Sequence, residues 1–383
     1  MELWWGQQDL VTQIIIIVFL SFALFQVLYY WIIFGRIAFY NPKKKTINTP
    51  SFPSVSVIII AQNDYMNLRK NIVSILEQDY PDFEVIVVNS STEETKSLYF
   101  LMSLRPQYPN LKIVELPDVR TFYAKKKFLL AIGTKESSKE LFLFTNPDCQ
   151  PVSNQWIREM VMGTSNEKEI VLGYSGLAGA KGFANKFYRL DNLNVSMNYL
   201  SFARLGMPYT GDGNNLGYTR SLFNKANGFV SHYSVPYGED ALFINKNATK
   251  KNCLVVLNES SIVRIQSKMS FRRWLRIKKT ARLCRKHYKM GQRFILSLFP
   301  FTRFIFYVVF ILLLCLLPLS AYYYSIIGVF VLRMISQLII TKQAMKKFSE
   351  KGFLFLTPLL EPVNIFLSWI IFLKAAFGRK VII

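Results

Sequence analysis

The sequence predicts an α/β fold, a doubly wound parallel sheet, attached to transmembrane helices. Three observations predict it. Short apolar runs at 55–60, 83–88, 111–116 and 141–144 alternate with segments of helical spacing, the pattern of βαβ units. The last run stops abruptly at Thr145, Asn146, Pro147 and Asp148. That puts a carboxylate at the carboxyl end of a strand, where open α/β sheets bind their ligands. Long uncharged apolar stretches stand near both ends of the chain.

The first such stretch, Val11 to Phe34, exceeds the roughly 20 residues a helix needs to cross a bilayer. Residues 1–10 hold no Lys or Arg and no small-residue cleavage site follows, so a retained transmembrane helix is expected in place of a signal peptide. Phe304 to Leu319 and Tyr322 to Ile340 form a second and third span, broken near Pro318. Phe353 to Phe377 is a fourth. It contains Pro358, Glu361, Pro362 and Lys374, so it either crosses or lies bent, re-entrant or interfacial. Glu2 and Asp9 precede the first span, and Arg36, Lys43, Lys44 and Lys45 follow it. The positive-inside rule then puts the following domain in the cytoplasm, with Lys342, Lys346, Lys347 and Lys351 on the same side. A full fourth crossing would leave Arg379 and Lys380 outside. A multi-pass protein of the cytoplasmic (inner) membrane is expected.

Between the spans, 41–53 reads as a polar linker. Helical spacing recurs at 66–77 (Leu68, Ile72, Ile75, Leu76) and at 123–135. After Pro151 the pattern loosens into a mixed segment with glycines at 173, 176, 179, 182, 211, 213 and 217. Lys268 to Arg293 is basic throughout, without an acid, and is punctuated by Phe271, Trp274, Leu275, Leu283 and Met290. It reads as an amphipathic helix on the membrane surface.

The formal net charge is +23, from 47 basic and 24 acidic residues. The anionic leaflet accounts for it better than nucleic acid does, so membrane lipid and no nucleic acid is the expectation. The four cysteines, Cys149, Cys253, Cys284 and Cys315, lack metal-ligand spacing and read as free thiols. With His232 and His287 as the only histidines, histidine-based zinc chemistry and a Ser-His-Asp triad are not expected. Read alone, Asp148 serves equally as a helix-capping loop residue or as a hard ligand for Mg²⁺ or Mn²⁺. Glu239 and Asp240 read alone as an acidic pair at a helix start.

In order and spacing, the motifs from about Ser54 to Met290 resemble the membrane-anchored family 2 glycosyltransferases. They are 55–64 (VSVIIIAQND), 74–81 (SILEQDYP), 83–88 (FEVIVV), Lys126-Lys127-Phe128, 145–151 (TNPDCQP) with Trp156, Pro208-Tyr209, 211–218 (GDGNNLGY) and 238–242 (GEDAL). The resemblance implies a GT-A fold, a Rossmann-like nucleotide-diphospho-sugar transferase domain flanked by transmembrane α-helices. The implied organisation is a transmembrane helix at 1–36, a linker at 37–53, the GT-A domain at 54–265, a basic interface helix at 266–295 and a transmembrane region at 296–383. It implies a nucleotide-sugar donor, expected to be a UDP-sugar, with a divalent metal (Mg²⁺ or Mn²⁺) on Asp148. Asp240 is implied as general base, with Glu239 orienting the acceptor. Gln62, Asp64, Asn89, Lys126, Lys127, Asn146 and Lys278 are implied around the donor. Tyr209, Gly211, Gly213 and Asn215 are implied near a lipid-linked or glycan acceptor.

Several positions depart from the family pattern. Asn89 and Asn146 stand where the family carries aspartates, and Ile277 to Ala281 retains only Lys278 of a five-residue closing motif. Three readings follow: an active inverting transferase; a catalytically weak or inactive homologue acting as a scaffold for protein partners in an envelope-glycan pathway; or, least favoured, a basic membrane-surface or nucleic-acid-binding protein without sugar chemistry.

Overall fold

The computed structural model describes residues 9–41, 52–90, 95–117, 122–165 and 167–377, without the side chains of Phe372 and 374–377. Glu2, Lys43, Lys44, Lys45, Arg379 and Lys380, used above for orientation, most of the 37–53 linker and the Lys374 side chain lie outside it. Two compact units form, one from the terminal segments and Lys289–Lys346, the other from Asn41–Tyr288 with Lys347–Glu350.

The second unit is built on a seven-stranded sheet. Its first four strands in the chain are β1 (Val55–Ala61), β2 (Phe83–Asn89), β3 (Leu111–Glu115) and β4 (Leu141–Thr145). They lie parallel in the order β3-β2-β1-β4. Every residue of β1 and β4 is buried, which is why these strands read as nearly continuous apolar runs, broken in β1 only by Ser56. The crossovers are the helices at Tyr65–Leu76, Thr95–Leu104 and Lys125–Glu136. In the last of these a Cβ on Gly133 would stand 2.7 Å from Ile58 Cγ2, so glycine lets the helix approach the sheet.

The segment that read as loosely mixed holds the long helix Phe183–Arg204 and six short strands: β5 (Cys149–Pro151), β6 (Ile170–Leu172), β7 (Ser175–Leu177), β8 (Leu216–Thr219), β9 (Cys253–Val255) and β10 (Val263–Ile265). β8, β6 and β9 extend the main sheet beyond β4, β8 running antiparallel. β5, β10 and β7 form a second, three-stranded sheet.

Within 266–295 there are two helices, one ending at Arg285 after starting at Phe271, the other starting at Met290. Trp274 is turned inward and buried; its indole donates to Asp191 Oδ2 at 2.8 Å. Lys278 pairs with Asp191 Oδ1 at 2.6 Å.

Residues 347–350 are held in the same unit by a buried ion cluster. The Glu350 carboxylate accepts from Arg189 Nε (2.9 Å) and Nη2 (2.5 Å), from Arg264 Nη1, and from the Tyr174 hydroxyl at 3.0 Å. Phe348 stacks on Tyr174 at 4.1 Å between centroids.

The other unit contains four helices long and apolar enough to cross a membrane: Leu10–Ala38, Met290–Leu316, Ala321–Lys347 and Leu354–Ile371. Phe19 of the first stacks on Phe306 of the second at 5.0 Å, within a buried cluster that includes Ile16, Ala23, Leu313 and Ile326.

Glu350→Ala would leave two largely buried guanidinium groups facing each other. It is expected to destabilise the protein by about 3 kcal/mol, read as a lowered thermal midpoint of the full chain in detergent. An unchanged midpoint would show that the cluster contributes nothing net.

Candidate active site

Register brings the strand ends together. Ala61 is the partner of Asn89, and Ile59 of Thr145, so β1, β2 and β4 finish along one edge. Two buried side-chain oxygens there, Asn89 Oδ1 and Thr145 Oγ1, have no hydrogen-bond partner among the described residues. Buried polar atoms rarely stay unsatisfied, so this edge suits a polar ligand. In the loop after β1, Asp64 Oδ2 accepts from the Gln62 N–H at 2.9 Å and Oδ1 from Asn67 at 3.2 Å.

A small pocket, with about 20 Å³ of free space, opens beside the end of β4, lined among others by Lys126, Asn146, Gly213, Tyr218, Glu239 and Asp240. The two acids begin the helix Glu239–Asn247, where its dipole favours carboxylates. The residue before them, Gly238, is left-handed at φ +71°, and a Cβ there would meet Cys284 Sγ at 2.3 Å. Glycine is required on both counts.

Charge in the pocket is unevenly shared. Lys126 Nζ lies 2.6 Å from Glu239 Oε1. Burial works against Glu239 ionising, but the Lys126 charge outweighs it and holds Glu239 below its ordinary value. Burial would likewise lower Lys126, and Glu239 and Asp240 together raise it. Among the described residues Asp240 has no cation of its own. Burial, then the adjacent Glu239 charge, push it from 3.8 up to about 6. Its Oδ2 accepts the Gly213 N–H at 2.8 Å. A Cβ on Gly213 would lie 2.8 Å from that oxygen, so glycine permits this approach.

The residues expected near the donor and acceptor divide into two groups. Lys126, Asn146, Gly213, Glu239 and Asp240 share the pocket. Lys127 is turned away: buried, it donates to the carbonyls of His232 (2.7 Å) and Val235 (2.5 Å), and burial lowers it to about 8. Adjacent helical residues point roughly 100° apart, so only one of the two lysines can face the pocket. Lys278 is engaged with Asp191. Tyr209 donates to Asn198 at 2.6 Å. Gly211 packs closely, a Cβ there meeting Leu216 Cδ1 at 3.0 Å. Asn215 is fully buried, donating to the carbonyls of Tyr174 and Ser261 and accepting from Trp156 Nε1 at 3.0 Å. It therefore organises the loop from within.

Sequence reasoning passed over four residues. Asp212 accepts from the Asn214 N–H at 3.0 Å and from the Ser175 hydroxyl, and Asn214 Oδ1 in turn accepts from Asn146 Nδ2 at 2.5 Å. Both alternate with the glycines of 211–218, a signal that was present. Arg273 and Ser267 reach Asp148 Oδ2, Arg273 at 2.8 Å. No spacing distinguishes Arg273 from its basic neighbours.

Asp148 also bears on the metal. Its Oδ2 is occupied by Arg273 and Ser267, while the contact recorded for Oδ1 is a Cys149 thiol at 3.7 Å. Among the described residues no three His, Cys, Asp or Glu side chains cluster as a ready cage. Mg²⁺-type sites often use one carboxylate and complete their shell with substrate phosphate and water. One available carboxylate oxygen, with the Asn146 amide two residues before it, fits such a site.

A mixed sheet whose parallel strands end beside a pocket lined by a carboxylate pair is the architecture of a GT-A fold. The comparisons with known proteins agree. Residues 56–225 match the family described as Glycosyl transferase family 2, so that segment carries the domain of that family. Among solved structures, mannosyltransferase PcManGT from Pyrobaculum calidifontis, in complex with GDP-Man and Mn²⁺, aligns with 97% of this chain and 100% of its own at TM-score 0.62 and 14% identity. S. aureus TarS 1-349 with UDP-GlcNAc aligns with 77% of this chain and 89% of its own at TM-score 0.39 and 13% identity. GalNAc-T7 with UDP, GalNAc and Mn²⁺ aligns with 60% of this chain and 48% of its own at TM-score 0.42 and 12% identity. At 14% identity the likeness to PcManGT concerns the fold alone. No curated protein matches the sequence.

The Asp240 environment has a consequence for stability. Its value in the fold, about 6, lies above the ordinary 3.8, so its ionisation opposes folding. That penalty is absent below pH 3.8, grows between 3.8 and 6, and is complete above 6. Asp240→Asn is therefore expected to stabilise the protein by on the order of 1–3 kcal/mol at pH 7.5 and to leave it unchanged near pH 3.5. Thermal melts at the two pH values check this; equal effects at both would contradict the assignment.

Proposed function

We propose that the chain is an inverting glycosyltransferase that moves a sugar from a nucleotide-diphosphate donor to a membrane-associated acceptor, glycan or lipid-linked. The observation that carries this reading is the division of labour between Glu239 and Asp240. A lone cation, Lys126, pairs with Glu239 and leaves Asp240 basic enough to take a proton near neutral pH.

Asp240 receives the proton of the acceptor hydroxyl as that oxygen attacks the anomeric carbon. The bond from that carbon to the diphosphate oxygen breaks on the opposite face, so configuration inverts. The Gly213 N–H fixes Asp240 by its Oδ2. Glu239 stays ionised on Lys126 and orients the acceptor. The unsatisfied Asn89 and Thr145 oxygens suit the donor's nucleoside, Asn89 accepting a ring N–H without the charge of an aspartate. A divalent cation held by Asp148 and the donor's own phosphates would neutralise the departing diphosphate. The four apolar helices and the basic residues beside them support action at the cytoplasmic face.

Asn89, Asn146 and the Arg273 contact on Asp148 also fit a homologue that has lost turnover and serves as a scaffold. Calorimetric titration of uridine diphosphate into the detergent-purified chain, with and without Mn²⁺, separates the two readings. Metal-dependent binding that disappears in Asp148→Ala is expected, and Asp240→Asn should keep binding while losing at least 100-fold in turnover. No binding of uridine, guanosine or thymidine diphosphate under any metal condition would favour the scaffold.

A further inference from the structure

The membrane-helix unit buries a polar cluster shared by all four of its helices. At its centre Arg333 is fully buried and uses each of its nitrogens. Nε donates to Gln26 at 2.9 Å, Nη1 to Gln337 at 2.7 Å and Glu361 Oε2 at 2.6 Å, and Nη2 to Glu361 Oε1 at 2.6 Å. Glu361 also accepts from the hydroxyls of Tyr307 (2.8 Å) and Tyr30 (3.3 Å). A second cation, Arg303, reaches the same carboxylate through Nη2 at 2.8 Å.

The cluster does not balance. Two guanidinium groups share one carboxylate, leaving one positive charge. Arg333 holds Glu361 with a two-pronged contact, the strong geometry for this pair, so Arg303 is the partner in excess. Its Nε is buried without a hydrogen-bond partner among the described residues. The guanidinium lies 5.2 Å from the centre of the Phe299 ring, and its side chain is 15% exposed. An intramembrane cation in this condition marks a site for something of opposite charge.

Its depth says what that anion is attached to. Arg303 immediately precedes Phe304–Leu319, a stretch without charge. The helical part of that stretch, 304–316, spans about 20 Å at 1.5 Å per residue, short of the ~30 Å hydrocarbon core. Arg303 therefore lies about 10 Å inside the hydrocarbon, a depth from which a long arginine side chain snorkels toward the lipid headgroups.

We propose that Arg303, braced by Glu361 and Phe299, binds the phosphate of an anionic membrane lipid. Where its side chain remains exposed, the positive charge left by the cluster meets the phosphate oxygens, and the lipid neutralises the bundle. This site is separate from the transferase pocket and stands whether or not that pocket turns over.

The test uses the full chain in neutral maltoside detergent, with phosphatidylglycerol binding followed by native mass spectrometry. Arg303→Gln is expected to weaken binding about tenfold, the scale of one charge-assisted contact. Lys279→Gln, in the basic helix of the other unit, is the control for non-specific attraction and should change it little. Without lipid, Arg303→Gln should melt no lower than the parent, since Glu361 keeps Arg333. Unchanged affinity in Arg303→Gln, equal binding of phosphatidylcholine, or equal competition by inorganic phosphate would each overturn the proposal. If Arg303→Gln does not fold, a photoactivatable phosphatidylglycerol applied to the parent decides. Labelling within residues 294–310 supports the site, and labelling confined to other segments refutes it.

Discussion

The candidate site depends on one shortage of charge: a single lysine facing two adjacent carboxylates. Lys126 can neutralise one of them at close range, and it takes Glu239. Asp240 is left partly buried beside a negative neighbour, which raises its affinity for protons. Two acids one residue apart, on one turn of one helix, thereby acquire opposite behaviour. The surroundings preserve the arrangement. Gly238 turns the chain into the helix where no side chain would fit, and Gly213 brings a backbone N–H onto Asp240.

Much of the architecture could be read from sequence because its strands are buried on both faces. The largely apolar runs that became β1, β2 and β4 suit strands buried on both faces, and Asp148 was legible where β4's run broke off. The long helix Phe183–Arg204 was not. Its buried residues include Asp191, Ser196 and Ser201 among the apolar ones, so the helical period is masked by polar groups whose partners are distant in sequence. The strands of the second sheet, three residues each, are too short to carry a period.

Side-chain direction explains the remaining differences within the site. Lys126 and Lys127 are indistinguishable by type, yet one faces the pocket and the other ties down a backbone loop. Trp274 and Lys278 belong to a segment whose composition suits a lipid surface, yet both converge on Asp191. A buried carboxylate accepting from both an indole and an ammonium outweighs what composition alone would dictate. Glu350 is a parallel case at the other end of the chain. Just beyond the third apolar helix, it engages two arginines and a tyrosine of the transferase unit. Such pairings are long-range and leave no trace in local patterning.

The central claim is that Asp240 acts as sole base for a single in-line displacement. The most direct measurement is the anomeric configuration of the first glycosidic product, read from its proton coupling constants by NMR once a donor and acceptor pair supports transfer. The account predicts a configuration opposite to that of the sugar in the donor. Retention would require a second displacement or a front-face path, and would contradict the role assigned to Asp240.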